Sequence, residues 1–205
     1  LFIDTLIRKG IRAFIVSRLP DNINSYSDAA FILHDNTVEA LQKLAAFKRS
    51  KYSFPVIAIT GSTGKTIVKE WLSEILGRSA AVVRSPKSYN SQIGVPLSVW
   101  KMDERFSYGI FEAGISMPGE MEKLSGIIRP DIGIITNIGE AHSRNFINDR
   151  AKAMEKLRLF AGCSKIIWCA DYDIINDLIR RDKDFACKTL VGWSFHDQGA
   201  DVYVK

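Results

Sequence analysis

The chain has 205 residues, 46% hydrophobic and 25% charged, with 14 glycines and 6 prolines, which excludes a disordered, collagen-like or low-complexity chain and leaves enough core to fold without disulfides or a structural metal. No apolar run reaches the ~20 residues of a membrane helix, and no basic, apolar, small-residue leader opens the chain, so a soluble, cytoplasmic protein with no membrane partner is expected. The net charge of +5 is spread among 23 acidic residues; such a surplus suits a small anionic ligand at least as well as nucleic acid, and no nucleic-acid partner is expected.

Residues 4–9 read as a helix, and residues 13–17 and 30–33 as short apolar strands. From Asn36 onward Val38, Leu41, Leu44 and Ala45 share one helical face, and Asn36 with Glu39 three residues later has the form of an N-terminal cap. The polar, basic stretch 48–53 precedes Pro55 and marks an expected boundary, dividing the chain into 1–52 and 53–205. Beyond it, apolar strands alternate with amphipathic helices. The strands are expected at 56–60, 80–84, 108–112, 132–136, 166–170 and 189–192, with a last one at 201–205. The clearest helix is 65–76, where Val68, Trp71, Leu72, Ile75 and Leu76 follow helical spacing and Gly77 ends the run. This pattern predicts a doubly wound α/β domain on a mostly parallel sheet, preceded by part of a small α/β domain. In such sheets ligands bind beyond the carboxyl ends of the strands. Cys163, Cys169 and Cys187 are odd in number and lack C-x-x-C spacing, so reduced, buried thiols are expected. The chain starts at Leu1 rather than Met and stops in a strand-like run, and is expected to be a piece of a longer protein.

Directly after the strand at 56–60 comes Thr60-Gly61-Ser62-Thr63-Gly64-Lys65-Thr66, running into the helix. Two glycines let the backbone curl so that several N–H groups converge, and the helix N-terminus adds its positive dipole end. In such a cradle Lys65 neutralises the outer phosphates and the Thr66 hydroxyl reaches a Mg²⁺ that bridges them. The strict pattern G-x-x-x-x-G-K-[ST] demands Gly at position 59, where Ile59 stands. A Gly-rich turn with an accidental lysine is the plainer alternative.

Three further residues follow strands. Glu112 closes the strand at 108–112 on the ligand edge, where an oxygen ligand for Mg²⁺ is needed; by itself a Glu there is an ordinary solvated loop residue. His142 follows the turn Asn137-Ile138-Gly139-Glu140-Ala141, and a lone His is more often structural than a ligand. Lys156 belongs to a helix over 149–160 whose apolar face is Ala153, Met154, Leu157 and Phe160. Periodicity places it off that face beside Lys152 and Glu155, as a solvated charge run. Trp168 and Trp193 read as core, and the acidic turn Asp171-Tyr172-Asp173 as structural.

Together, T-G-S-T-G-K-T (60–66), Y-N-S-Q-I-G-V-P (89–96), F-E-A-G (111–114), T-N-I-G-E-A-H (136–142) and A-M-E-K-L-R-L-F (153–160) resemble the ATP-dependent Mur ligases of bacterial peptidoglycan synthesis. The family's loop lacks the leading glycine, so Ile59 agrees with it. The segment 90–96 is similar to the branch that joins D-alanyl-D-alanine to UDP-N-acetylmuramoyl-tripeptide. The likeness covers 55–205 and, more weakly, 1–50, which resemble the rear of the family's domain for the UDP-sugar substrate. The resemblance implies that Gly61, Ser62, Thr63, Gly64, Lys65, Thr66 and Asn137 hold ATP. It implies two Mg²⁺ ions, one on Thr66 and Glu112 and one on His142, and a carbamylated Lys156 as metal-site anion. It gives Lys65, His142 and Lys156 catalytic roles and turns Asn90 and Ser91 toward the muramoyl-peptide. It further implies a C-terminal ligase domain elsewhere in the full chain, in some bacteria a fused alanine racemase domain, and a 205-residue piece that binds nucleotide weakly and ligates nothing alone. The rival readings are a folylpolyglutamate synthetase-like ligase, a P-loop kinase or NTPase, and a non-catalytic nucleotide-binding piece.

Overall fold

The computed structural model describes residues 2–139 and 145–205. A helix, α1 (Phe2–Arg8), precedes a small parallel pair, β1 (Ala13–Val16) beside β2 (Ala30–Leu33). The main sheet contains β3 (Val56–Thr60), β4 (Val82–Arg84), β5 (Tyr108–Glu112), β6 (Ile132–Ile135), β7 (Lys165–Cys169), β8 (Thr189–Ser194) and β9 (Val202–Tyr203). Their order is β4-β5-β3-β6-β7-β8-β9, and every neighbouring pair is parallel. The helices are α2 (Thr37–Arg49), α3 (Lys65–Gly77), α4 (Gly94–Val99), α5 (Glu120–Ile128), α6 (Asp149–Leu157) and α7 (Asp173–Arg181). The expected α/β class and parallel sheet are therefore present.

The strands form where β-branched and aromatic residues run without interruption, since a parallel sheet buries both faces. All five residues of β3 are buried. Their period of two divides the core. Val56, Ala58, Phe111, Ile135, Ile166 and Trp168 join Val95 and Val99 of α4, Leu124 of α5 and Ile175 and Ile179 of α7. Ile57, Ile59 and Ile110 meet Val68, Leu72 and Leu76 of α3 from the other face. Each Val, Leu, Ile or Phe among them contributes about 1.5–3 kcal/mol when fully buried. Gly133 lets β6 approach the 3₁₀ turn Arg158–Phe160; a Cβ there would stand 2.3 Å from Phe160 Cδ1.

Asn36 caps α2, its Oδ1 accepting from the Val38 and Glu39 amides at 3.0 and 3.1 Å. The other end of α2 is tied to the main domain by the buried Arg49, whose guanidinium donates to the carbonyls of Ile128 (2.8 Å), Arg129 (3.0 Å) and Tyr52 (2.6 Å).

Several expectations change. Trp71, 66% exposed, and Ile75 leave the buried face of α3. The helix is turned instead to bring Lys69 and Ser73 against the sheet, because Lys69 finds main-chain acceptors there. Leu44 is likewise exposed, while Ala45 is in the core. Cys163 and Cys169 are buried but Cys187 is exposed, and all three thiols are free. Trp168 is fully buried; Trp193 is half-buried, edge-on to Phe195. The Asp171 carboxylate accepts from the Ser194 hydroxyl and the Phe195 amide, a structural turn as expected. No helix among the described residues is long and apolar enough to cross a membrane.

Candidate functional site

The loop between β3 and α3 sits between two strand ends. Register places Ile59 beside Glu112 of β5 and Thr60 beside Ile135 of β6. Beyond β3 the chain therefore has Glu112 on one flank and Thr136 and Asn137 on the other. The turn needs its glycines: Gly61 has φ +140° and Gly64, capping α3, has φ +79°, values L side chains rarely adopt. A Cβ on Gly61 would lie 1.9 Å from Thr136 Oγ1.

The β6 flank holds the loop in shape. Thr136 Oγ1 donates to the Thr63 carbonyl at 2.6 Å, and Asn137 bonds Thr63 twice: Oδ1 accepts its amide at 3.0 Å and Nδ2 donates to its hydroxyl at 2.7 Å. The Ser62 amide donates to the Asn137 carbonyl at 2.9 Å, and the Gly139 amide to Ser62 Oγ at 3.0 Å. All seven residues of the expected nucleotide cradle are thus contiguous, with Asn137 as a brace of the loop.

Two ammonium groups meet at one carbonyl. Lys65 Nζ folds back to donate to the Gly61 oxygen at 2.8 Å, and Lys156 Nζ reaches the same oxygen at 3.1 Å. The solvated reading of Lys156 is overturned: it is only 2% exposed, whereas Met154 of the expected apolar face is 55% exposed. α6 ends at Leu157 and turns Lys152, Glu155 and Lys156 inward, because main-chain polar groups await them. Glu155 Oε1 accepts the Gly119 and Met121 amides at the start of α5, and Lys152 donates to the Gly139 carbonyl. Burial, then the neighbouring charges of Lys65 and Lys152, push the Lys156 ammonium down to about 8. Burial also lowers Lys65, which Glu112 partly offsets.

Glu112 is fully buried rather than a solvated loop residue. Its Oε2 accepts from Thr66 Oγ1 at 2.9 Å and its Oε1 from Asn90 Nδ2 at 3.0 Å. The Thr66 hydroxyl and Glu112 carboxylate are hard oxygen donors in direct contact, the donor set a small divalent cation such as Mg²⁺ takes together with water and phosphate. No group of three His, Cys, Asp or Glu side chains suited to a metal occurs among the described residues. His142 lies outside them.

Beside the loop opens a cleft of about 310 Å³ lined by Lys65, Lys156, Asn90, Ser91, Gln92 and Glu120, among others. The Ser91 hydroxyl accepts the Gly94 amide at 3.1 Å at the start of α4. Gln42 of α2 donates to Gln92, and Gln92 to the Glu120 carbonyl, so this wall is fixed from the N-terminal side as well. Sequence reasoning missed Lys69, Thr136, Lys152 and Glu155. Lys69 had one available signal, a lysine between Val68 and Leu72 on the helical stripe.

A parallel sheet with a glycine-bounded loop, a following Lys-Thr and a carboxylate on the next strand end defines a P-loop nucleotide-binding domain of the doubly wound class. The description Mur ligase middle domain matches residues 59–205, and the chain belongs to that family. The UDP-N-acetylmuramoyl-tripeptide–D-alanyl-D-alanine ligase of Borreliella burgdorferi is 40% identical over 163 residues, covering 77% of this chain and 35% of that protein. A crystal structure of MurF from Acinetobacter baumannii superposes with a TM-score of 0.86 at 26% identity, over 98% of this chain and 43% of that one. MurF from Thermotoga maritima in complex with ADP gives 0.81 at 28% identity, over 96% and 44%. A Mycobacterium tuberculosis folylpolyglutamate synthase reaches 0.58 at 12% identity, a likeness of fold alone. The chain thus spans between 35% and 49% of the length of these proteins.

Proposed function

We propose that this chain is the nucleotide-binding part of an ADP-forming ligase that joins D-alanyl-D-alanine to UDP-N-acetylmuramoyl-tripeptide, in the cytoplasm. In this reading residues 1–52 are the rear of the UDP-substrate domain, residues 53–205 most of the ATP domain, and the partner is a C-terminal ligase domain of the longer chain. The observation that carries it is the meeting of Lys65 and Lys156 at the Gly61 carbonyl, beside Thr66 and Glu112 and at the edge of a cleft lined by Asn90 and Ser91.

The reaction brings two anions together. An oxygen of the tripeptide carboxylate bonds the γ-phosphorus of ATP as the β–γ bridging bond breaks, giving an acyl phosphate and ADP. The amine of the dipeptide then adds to the acyl carbon, phosphate leaves, and the nitrogen loses a proton. The chain's share is positioning and charge. Main-chain amides of the loop and the N-terminus of α3 hold the phosphates, and Lys65, released from Gly61, offsets the charge that gathers on the transferred group. Asn90 and Ser91 orient the acyl substrate. Magnesium, held by Thr66 and Glu112 with a second ion at His142, would supply further charge neutralisation at the phosphates.

Lys156 has a distinct role in this proposal. A lysine lowered to about 8 carries about a tenth of its population as neutral amine at pH 7. That amine attacks CO₂, forming the N–C bond and releasing one proton, and the carbamate exchanges repulsion from Lys65 and Lys152 for attraction. Calorimetry of the 205-residue chain with ADP and Mg²⁺ tests the reading. Weak binding abolished by Lys65→Ala is expected; absence of binding by the unaltered chain refutes it. ¹³CO₂ labelling should give a carbamate resonance that Lys156→Met removes.

A further inference from the structure

Lys69, on the first turns of α3, has no part in the mechanism above, yet its side chain is fully buried. A buried ammonium persists only where its donors are met. Lys69 Nζ donates to the Ser85 carbonyl at 2.8 Å and to the Lys87 carbonyl, stands 3.2 Å from Glu70 Oε1 and 3.9 Å from Glu112 Oε2. The two carbonyls belong to the loop after β4, which turns at Lys87 with φ +48°, a left-handed conformation in a residue that has a Cβ. Such backbone costs of order 1–3 kcal/mol and persists where its surroundings hold it. Here the Tyr89 amide closes the turn on the Pro86 carbonyl at 3.1 Å, and the ammonium binds the Lys87 carbonyl.

The same loop touches both oxygen donors of the candidate metal site. Ser88 Oγ lies 3.4 Å from Thr66 Oγ1, and Asn90 Nδ2 donates to Glu112 Oε1. The Ser85 hydroxyl also accepts the Glu112 amide at 3.2 Å. One side chain on the phosphate-loop helix thereby bonds the loop that leads to Asn90 and Ser91, alongside the main-chain bonds from the Ser85 amide to the Ile110 carbonyl and from the Gly114 amide to the Asn90 carbonyl, and stands beside the carboxylate that meets Thr66.

We propose that Lys69 is a positioning residue of the ligase site: through the Ser85 and Lys87 carbonyls it locks the 85–91 loop to α3 and so holds Glu112 and Thr66 in the geometry that takes the metal-bound nucleotide. The role rests on the nucleotide-binding reading and extends it to a residue that touches neither nucleotide nor acyl substrate. It predicts a split that general destabilisation does not produce. Loss of Lys69 weakens metal-assisted binding and loosens one loop, while the loop amides that hold the phosphates without metal keep their shape through Thr136 and Asn137.

The test uses the 205-residue chain and its Lys69→Met variant, titrated with ADP in excess MgCl₂ and in EDTA, with amide hydrogen exchange followed across residues 85–91. Expected are at least a tenfold loss of ADP affinity with Mg²⁺, less than a threefold change in EDTA, and at least tenfold faster exchange in 85–91. Equal losses with and without Mg²⁺, or unchanged exchange, overturn the proposal. If Lys69→Met does not fold because Glu112 is left without its cation, Lys69→Met/Glu112→Gln is compared with Glu112→Gln by exchange: faster exchange in 85–91 supports the role and equal exchange overturns it. Failure of the unaltered chain to bind ADP under either condition removes the nucleotide reading itself, whereas binding that Lys69→Met leaves unchanged removes only this role.

Discussion

Gly61→Ala isolates the contact between the phosphate loop and its brace. The residue has φ +140°, and confining an alanine there costs about 1–3 kcal/mol. The new Cβ would fall 1.9 Å from Thr136 Oγ1 and 3.1 Å from the Asn137 amide nitrogen. Thr136 must then rotate away, losing its 2.6 Å bond to the Thr63 carbonyl, worth about 1 kcal/mol. The sum is about 2–4 kcal/mol, or roughly 10 °C in Tm for a domain of this size. Urea unfolding followed by tryptophan fluorescence measures it, alongside ADP titration, where binding should be lost. Thr136→Ala removes the obstructing hydroxyl at a cost of about 1 kcal/mol, and the two losses overlap. The double variant should fall short of additivity by about 1 kcal/mol, the bond that both changes remove. Full additivity, or a Gly61→Ala chain that loses under 1 kcal/mol and still binds ADP, would refute the reasoning.

Other outcomes follow from single groups. In CO₂-depleted buffer Lys156→Met should be about 1–2 kcal/mol more stable than the unaltered chain at pH 7. The folded-state value of about 8 lies below the ordinary 10.5, so the folded chain binds fewer protons and the cost, about 3 kcal/mol before the lost Gly61 bond is subtracted, is present in full below pH 8 and relieved between 8 and 10.5; urea melts at pH 7 and 10 should show the advantage shrink. Arg49→Met strips the donors from three carbonyls and should cost about 3 kcal/mol, read as a lower urea midpoint. Gly133→Ala drives a methyl into Phe160 and should cost about 1–3 kcal/mol in the same assay. Asn36→Ala should cost about 1 kcal/mol, with faster exchange at the Val38 and Glu39 amides.

Most of the sheet was legible because a strand buried on both faces has no polar interruptions. The runs at 56–60 and 108–112 coincide with β3 and β5. The loop was legible because Gly61, Gly64 and Lys65 sit at a strand-to-helix junction. What hydropathy misread in α3 and α6 shares one cause. Periodicity treats a lysine as a residue that belongs in water, yet Lys69, Lys152 and Lys156 are buried because each finds a carbonyl, and carbonyls have no letter of their own in the sequence. The misassigned faces of α3 and α6 follow directly: turning Lys69 or Lys156 inward turned Trp71 or Met154 out. Glu112 was placed at the right strand end by position, but its burial depends on Thr66 and Asn90, residues 46 and 22 positions away.

The Gly61 oxygen receives two lysines at once, and that redundancy bears on how the loop survives its own work. If an anion in the cradle drew Lys65 forward, the Gly61 carbonyl would keep the Lys156 donor at 3.1 Å, while the Ser62 carbonyl, 3.3 Å from Lys65 Nζ, would be released. The Gly61 acceptor then need not move with the side chain, and the acceptor given up is Ser62's, held by the longer bond of 3.3 Å.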